Sequence, residues 1–268
     1  MRLDSSLDRT PNEDSSVTVL AFDTSTASLA TAIVRDGRVI DSLVILTERN
    51  HSVRIVSEIK ELLIRNDLQA NDVDVIAVGQ GPGSYTGVRI AVTAAKTLAW
   101  TWNKPLIGVS SLEALALGAW NSLQRQDEDM ATDREMWIVP LMDARRGQVY
   151  TSRYIAGPQG KWEAIDKDGI RLIADWSVRL EEEATTDNEV SAVWFVGEIS
   201  PHQETIAQAE QSGTRLRTYA CDMDAGAVGL LAELRYRQGE RAEVHTFVPN
   251  YTQLAEAEAK LLAAARGE

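Results

Sequence analysis

The chain has 268 residues, 44% of them hydrophobic and 25% charged, with a net charge of −13 to which both halves contribute. This composition excludes a fibre or a low-complexity tail, and the length admits one large domain or two modest ones. An acidic surface repels phosphate backbones, so unaided nucleic-acid binding is disfavoured and any RNA contact is expected to be indirect.

Residues 1–16 read as a disordered tail, because they carry acids throughout and lack the apolar stretch of a secretory signal. Val17 to Phe22, Ser28 to Val34 and Arg38 to Leu46 read as three successive strands. Asp36-Gly37 between the last two runs predicts a hairpin, since a type I′ turn needs positive φ at both central residues. Asn50 to Asn66 carries Val53, Val56, Ile59 and Leu63 at helical spacing, with Ile55 and Leu62 beside them. Val73 to Val78 has the continuous apolar run of a buried strand. Val88 to Trp102 reads as a helix and Leu106 to Val109 as a short strand. The order is βββαβαβ, a meander extended by parallel crossovers, whereas a dinucleotide-binding fold would alternate βαβ from the start.

The second half repeats the plan. Met136 to Met142, Gln148 to Ile155 and Lys161 to Ile165 read as strands, and Trp176 to Glu183 as a helix. Ala192 to Val196 and Arg215 to Ala220 read as strands, Pro201 to Gly213 and Asp224 to Gln238 as helices. Asn121 to Glu135 and Glu181 to Ser191 read as exposed loops. The expectation is an α/β protein of two similar βββαβα lobes. Their boundaries are 17–109 for the first lobe and 110–268 for the second, with its C-terminal helices.

Within the repeat, Asp23-Thr24-Ser25 and Asp143-Ala144-Arg145 each end a copy's first strand. In two-lobed nucleotide-binding proteins such turns offer N–H groups and hydroxyls to phosphates while an aspartate holds hydrated magnesium. The same residue types also cap turns for local reasons. Gly79 to Gly87, with four glycines and a proline, is either a tight strand-to-helix connection or an anion-facing or partner-facing loop. It lacks the Lys-Ser/Thr pair of a Walker A loop, and the Gly83 to Gly87 spacing is one residue too long for G-x-G-x-x-G. His51, His202 and His245 are followed four residues on by Ile55, Ile206 and Pro249, so no helix face presents paired imidazoles to a metal. A G-x-S-x-G elbow is absent. The single cysteine, Cys221, reads as a buried inert thiol and suits a reducing compartment. No apolar run approaches the ~18 residues of a membrane span, and a cytoplasmic location is expected.

The helix over Val88 to Trp102 is apolar on nearly all sides, and that over Val53 to Ile64 is apolar beyond one stripe. A helix apolar all round needs cover all round. That cover is either the protein's own domain or a second chain, and the second is expected here because two adjacent helices share the excess. The candidate partner-binding residues are Val53, Val56, Ile59, Lys60 and Leu63 on one helix and Arg89, Val92, Thr93 and Lys96 on the other.

The chain resembles the bacterial TsaB family, also called YeaZ, of tRNA threonylcarbamoyladenosine biosynthesis subunits. The resemblance is carried by Leu20-Ala21-Phe22-Asp23-Thr24-Ser25-Thr26, by His51-Ser52, and above all by Gly81-Pro82-Gly83-Ser84-Tyr85-Thr86-Gly87-Val88-Arg89-Ile90. Val109-Ser110-Ser111-Leu112-Glu113-Ala114-Leu115-Ala116, Asp143-Ala144-Arg145-Arg146-Gly147-Gln148-Val149-Tyr150, Pro249-Asn250-Tyr251 and Ala255-Glu256-Ala257-Glu258 continue it. It implies the actin-like, sugar-kinase and heat-shock ATPase fold. It further implies a subunit that is not the catalyst: the catalytic paralogue TsaD carries a metal-binding His-x-x-x-His, which this chain lacks. The implied partners are TsaD, through the first lobe's helices, and the ATPase TsaE, with a homodimer as a further form. No cofactor is then required by this chain, and ATP or ADP would sit at the partner or the shared interface. The competing expectation is an independent ATP-dependent kinase or ATPase using Asp23 and Asp143.

Overall fold

The computed structural model describes residues 15–46, 51–126, 134–209 and 215–252, the side chains of 51–53 excepted. β1 (Thr18–Asp23) is buried at every position. Its alternate residues feed two cores: Val19 and Ala21 face one side, Leu20 and Phe22 the other. That is why the run is continuously apolar rather than alternating. β1 pairs antiparallel with β2 (Ser28–Arg35), and β2 with β3 (Arg38–Leu46) across the Asp36-Gly37 turn, whose φ values of 50° and 71° match the sequence expectation. α1 (His51–Arg65) leads to β4 (Val75–Gly79), parallel to β1, and α2 (Tyr85–Trp102) to β5 (Leu106–Val109), parallel to β4.

α3 (Ser111–Gln126) then enters a second sheet built from β6 (Glu135–Asp143), β7 (Gln148–Gly157), β8 (Lys161–Leu172), β9 (Val190–Gly197) and β10 (Leu216–Ala220). The sheet orders are β3-β2-β1-β4-β5 and β10-β9-β6-β7-β8, the same arrangement read from opposite ends. α4 (Ile173–Thr186), α5 (Gln203–Ala209) and α6 (Ala225–Arg237) complete the second copy. Each copy is therefore βββαβαβα, and the chain is the expected α/β protein of two similar lobes.

The layers follow from which faces are apolar. α1 places Ile55, Ile59, Leu62 and Leu63 on one side of the first sheet, where α2 adds Ala91, Ala95 and Ala99, a stripe small enough for close approach. α3 and α6 lie between the sheets: α6 packs on the first, α3 packs on the second with Ala116, Ala119 and Trp120, and the two helices meet each other. α4 and α5 cover the far side of the second sheet with Trp176, Leu180 and Ile206. α6 contacts all five strands of the first sheet. It completes the first lobe's core, although its place in the chain puts it with residues 110–268.

Several boundaries differ from the sequence reading. α3 was not expected, and its end at Gln126 takes in part of the anticipated 121–135 loop; residues 127–133 lie outside the described residues. Its two opposed apolar faces mask the one-sided periodicity of a surface helix. α4 runs on to Thr186 through the anticipated 181–191 loop, because Leu180 and Ala184 stay in the core while Glu183 pairs with Arg179 and Arg153. β8 continues past Ile165 to Leu172, with register shifts opposite β7 that a strand read from alternation does not reveal. α2 starts at Tyr85 because Ser84 caps it, accepting from the Gly87 N–H. The tail expected over 1–16 lies outside the description up to residue 14, as do residues 210–214, which include the end of the helix expected over Pro201 to Gly213.

After α6 a strap, residues 239–252, returns along the first lobe. Ala242 bridges β5 at Leu106, and Phe247 lies against Gly108 so closely that a Cβ there would meet its ring at 2.5 Å. The Lys96 ammonium donates to the carbonyls of His245 and Phe247.

At Gly229 on α6, a Cβ would approach Val34 Cγ2 to 2.4 Å and Ala21 Cβ to 3.3 Å. Alanine favours a helix over glycine by about 1 kcal/mol, while overpacking a rigid core costs about 1–3 kcal/mol. Val34 is fully buried and β-branched, so it cannot yield. Gly229→Ala is expected to lower stability in urea unfolding, and an equal or higher midpoint would refute that packing.

Candidate functional site

The strand ends of both lobes meet between the sheets. Asp23, at the end of β1, is fully buried. Its Oδ1 accepts from the Ser25 N–H and hydroxyl, each at 2.6 Å, and its Oδ2 accepts from the Ser111 hydroxyl at 2.6 Å. Ser111 Oγ also accepts from Gly81 N–H at 3.0 Å, and Ser111 N–H donates to Gly81 O at 2.9 Å. One carboxylate thus ties β1, the glycine-rich loop and the start of α3.

The glycines of that loop are required by close approach. A Cβ on Gly79 would lie 1.7 Å from Asp23 Oδ2, on Gly83 2.4 Å from Ser25 O, and on Gly87 1.9 Å from Thr24 O. Gly81 and Gly83 also take positive φ, 91° and 154°, around the cis Gly81–Pro82 bond. Thr24 Oγ1 donates to Gly87 O at 2.6 Å, and Ser84 N–H donates to Ser25 O at 2.7 Å. Gly81, Pro82 and Gly87 are buried and Gly83 half-buried, while Ser84, Tyr85 and Thr86 are exposed at the head of α2. Of the two readings left open for this loop, its glycines follow the tight connection and its last turn faces outward.

The Asp23-Thr24-Ser25 turn therefore spends its donors internally. The Ser25 N–H and hydroxyl point at Asp23, and Ser25 Oγ lies 3.9 Å from Met142 Sδ. Met142 from β6, Met223 ahead of α6 and Leu115 from α3 join the core built on β1, β2, β4 and β5. The space between the lobes is filled by side chains at this point.

Asp143 takes the equivalent place at the end of β6 but is exposed, 3.2 Å from the buried His202 Nε2. Its N–H donates to Glu198 Oε2 at 2.6 Å, and its Oδ1 accepts from Arg145 N–H at 3.1 Å. Burial pushes the Glu198 carboxyl up, with Asp143 and Asp222 adding repulsion and the Asp143 N–H and His202 opposing the rise. The sequence pairing of Asp23 and Asp143 is correct in topology, but the two differ in environment. Among the described residues no three His, Cys, Asp or Glu side chains are grouped to hold a metal. Cys221 is half-buried, and burial pushes its thiol up to about 12. His245 is exposed, and nothing is described of the His51 side chain.

The candidate partner residues divide. Val56 (62% exposed), Lys60, Arg89 and Thr93 face solvent. Ile59, Leu63 and Val92 do not: at 3%, 8% and 3% exposure they belong to the interior, which corrects their placement on a partner surface. Lys96 is engaged by the strap, and the Val53 side chain lies outside the description. Sequence periodicity missed Ile64, Tyr85 and Trp100, which are 62%, 54% and 70% exposed on the same two helices. Their signal was present as large apolar residues opposite the alanine stripe of α2 and the isoleucine face of α1.

Removing the Ser111 hydroxyl leaves a buried carboxylate oxygen short of a donor, a change that costs about 1–3 kcal/mol or more. Ser111→Ala is therefore expected to lower the free energy of unfolding in urea by about 1–3 kcal/mol, and an unchanged midpoint would show that Asp23 is not held as described. For Glu198 the folded-state pKa lies above the unfolded value. Its contribution is thus favourable below the unfolded pKa and is lost as pH rises through the folded one. Glu198→Gln keeps an acceptor for Asp143 N–H without the charge, so its Tm should exceed the wild type's at about pH 7 and converge with it near pH 4. A gap that widens on acidification would contradict this.

The family model of TsaD, tRNA N6-adenosine threonylcarbamoyltransferase, matches residues 45–261. The tRNA threonylcarbamoyladenosine biosynthesis protein TsaB of Bacillus subtilis (strain 168) is 38% identical over 254 residues, which cover 91% of this chain and 97% of that protein. The protein of the same description from Escherichia coli (strain K12) is 34% identical over 152 residues, 57% of this chain and 61% of its own. The solved structure of YeaZ from Pseudomonas aeruginosa superposes with a TM-score of 0.69 at 26% identity, covering 88% of this chain and 99% of that one. With a duplicated fold of this kind and a full-length relative at that identity, the chain belongs to the TsaB (YeaZ) family of tRNA threonylcarbamoyladenosine biosynthesis proteins.

Proposed function

We propose that this chain is a non-catalytic subunit that binds and stabilises the threonylcarbamoyltransferase TsaD, with the ATPase TsaE joining the pair. The observation that carries the reading is the filled junction between the lobes. Asp23, the residue an ATP-dependent kinase would present to magnesium, is fully buried and accepts from Ser25 and Ser111. Met142 lies against Ser25 of the same turn and, with Leu115, belongs to the core built on the first sheet. Opening that junction for a nucleotide would strip a buried carboxylate of its donors, a cost of several kcal/mol. The independent kinase using Asp23 and Asp143 is disfavoured on the same ground. ATP or ADP, where it acts, belongs to the partner or to the shared interface.

The surface suited to pairing is the outward side of α1 and α2, which pack together on the first sheet. Val56, Ile64, Tyr85 and Trp100 stand exposed there among Lys60, Arg89 and Thr93. Aromatic and arginine residues of this kind dominate the energetics of protein interfaces. TsaD is the favoured occupant and a second copy of this chain the lesser one. Contact with tRNA is left to the partner, in keeping with the net charge of −13.

Reconstitution of tRNA modification with TsaD and TsaE, with and without this chain, tests the role, and full activity in its absence would remove it. Val56→Asp is expected to abolish co-purification with TsaD while leaving Tm within a few degrees, because surface changes rarely exceed about 0.5 kcal/mol. Val92→Asp should instead prevent folding, as it buries a charge. Retained pairing in Val56→Asp and Trp100→Asp together would place the interface elsewhere.

A further inference from the structure

The Pro249-Asn250-Tyr251 run, singled out in the sequence, is used by nothing described so far, and the structure shows where it lies. Asn250 N–H donates to Gln80 O at 2.7 Å, fixing the strap on the glycine-rich loop. Its side-chain Nδ2 donates to Asp168 Oδ2 at 3.0 Å, and Asp168 belongs to β8 in the second lobe. The same Asp168 oxygen accepts from Ser110 Oγ at 2.7 Å, at the entry to α3. The next residue, Tyr251, accepts from Arg89 Nε at 2.8 Å. The Arg89 guanidinium stands 4.3 Å from the Tyr85 ring centre and 5.8 Å from that of Tyr251, and the two rings are 5.7 Å apart.

Tyr85, Arg89 and Tyr251 are all exposed, so the stack is part of the surface at the N-terminal end of α2 and not a core contact. A line of direct contacts therefore runs from β8 through Asp168, Asn250 and Tyr251 to Arg89 and Tyr85. Asp168 is brought to the strap by the irregular pairing of β8 with β7, which shifts register on either side of Arg153. Burial pushes the Asp168 carboxyl up, while its donors Ser110, Tyr154 and Asn250 favour the ionised form.

We propose that Asn250 and Tyr251 form a latch by which the second lobe, through Asp168, sets the affinity of the α1–α2 face for its protein partner. The inference rests on that face being the partner surface. In this scheme Asp168, Asn250 and Tyr251 are positioning residues: they hold Arg89 and Tyr85 in one arrangement, and a partner then meets a preordered cluster rather than ordering it on binding. The strap also makes the surface composite, since Tyr251, stacked with Arg89 and Tyr85, comes from far along the chain.

The test uses the full chain with the substitutions Asp168→Ala, Asn250→Ala and Tyr251→Ala, singly and in pairs. Two readouts are measured: the Kd for TsaD, and amide hydrogen exchange over residues 85–93 in the chain alone. Asp168→Ala lies off the α1–α2 face, yet it should weaken TsaD binding at least about fivefold, the lower end of ordinary coupling between sites. It should also speed exchange in the first turns of α2. The Asp168→Ala and Tyr251→Ala effects on Kd should be less than additive, because both release the same latch. A strap that merely adds stability would lower Tm and leave the Kd of the folded fraction unchanged, and that result overturns the proposal. Exchange over 85–93 unaffected by Asp168→Ala overturns it as well, whether or not a partner binds. Failure of the wild-type chain to bind TsaD would instead defeat the partner reading, with the exchange measurement still deciding the latch.

Discussion

The Asp23 carboxylate is where the structure is most tightly constrained. A charged group without solvent exposure persists only when donors surround it, and the donors come from the turn after β1 and from the first residue of α3. Those contacts dictate what neighbours are tolerated. Gly79 has no room for a side chain because Asp23 occupies it, and Gly87 has none because the Thr24 carbonyl does. The glycine-rich loop, the most distinctive run in the sequence, is thus shaped by a hydrogen-bonded junction inside the protein. Its exposed last turn is what remains available to anything outside.

The duplication makes the two lobes each other's control. β1 and β6 occupy the same place in their sheets and both end in aspartate, but one aspartate is sequestered and the other exposed. β4 and β9 both end in glycine. Gly79 faces Asp23, whereas a Cβ on Gly197 would meet Leu141 O at 2.6 Å and Leu115 Cδ2 at 2.7 Å. Polar chemistry in one copy is answered by apolar packing in the other.

Much of the architecture is legible in residue order. The Asp-Gly hairpin, the continuous apolar run of β1 and the repeated βββ starts each rest on local backbone chemistry, and each appears in the structure as expected. What escaped is set by tertiary contact. α3 is apolar on two faces because it lies between α6 and the second sheet, so its periodicity does not announce a surface helix. The acidic run at the end of α4 looks like a loop until Arg153 and Arg179 are seen to meet Glu183. At the candidate interface, spacing alone could not say which side of α1 faces the sheet. Ile59 and Leu63 went inward and Val56 outward, a choice made by the alanine stripe of α2 and by the strands beneath.

The position of α6 has a consequence for how the chain is made. The first sheet is complete by Val109, but the helix covering its inner face begins only at Ala225, and the strap on its edge follows that. A ribosome delivering the chain from the N-terminus exposes β1 through β5 long before their cover exists, while α4 and α5 reach the second sheet within the same stretch of synthesis. Contacts of such sequence separation close slowly. The lobe translated first is therefore the one finished last, and premature termination before Ala225 leaves its apolar inner face open.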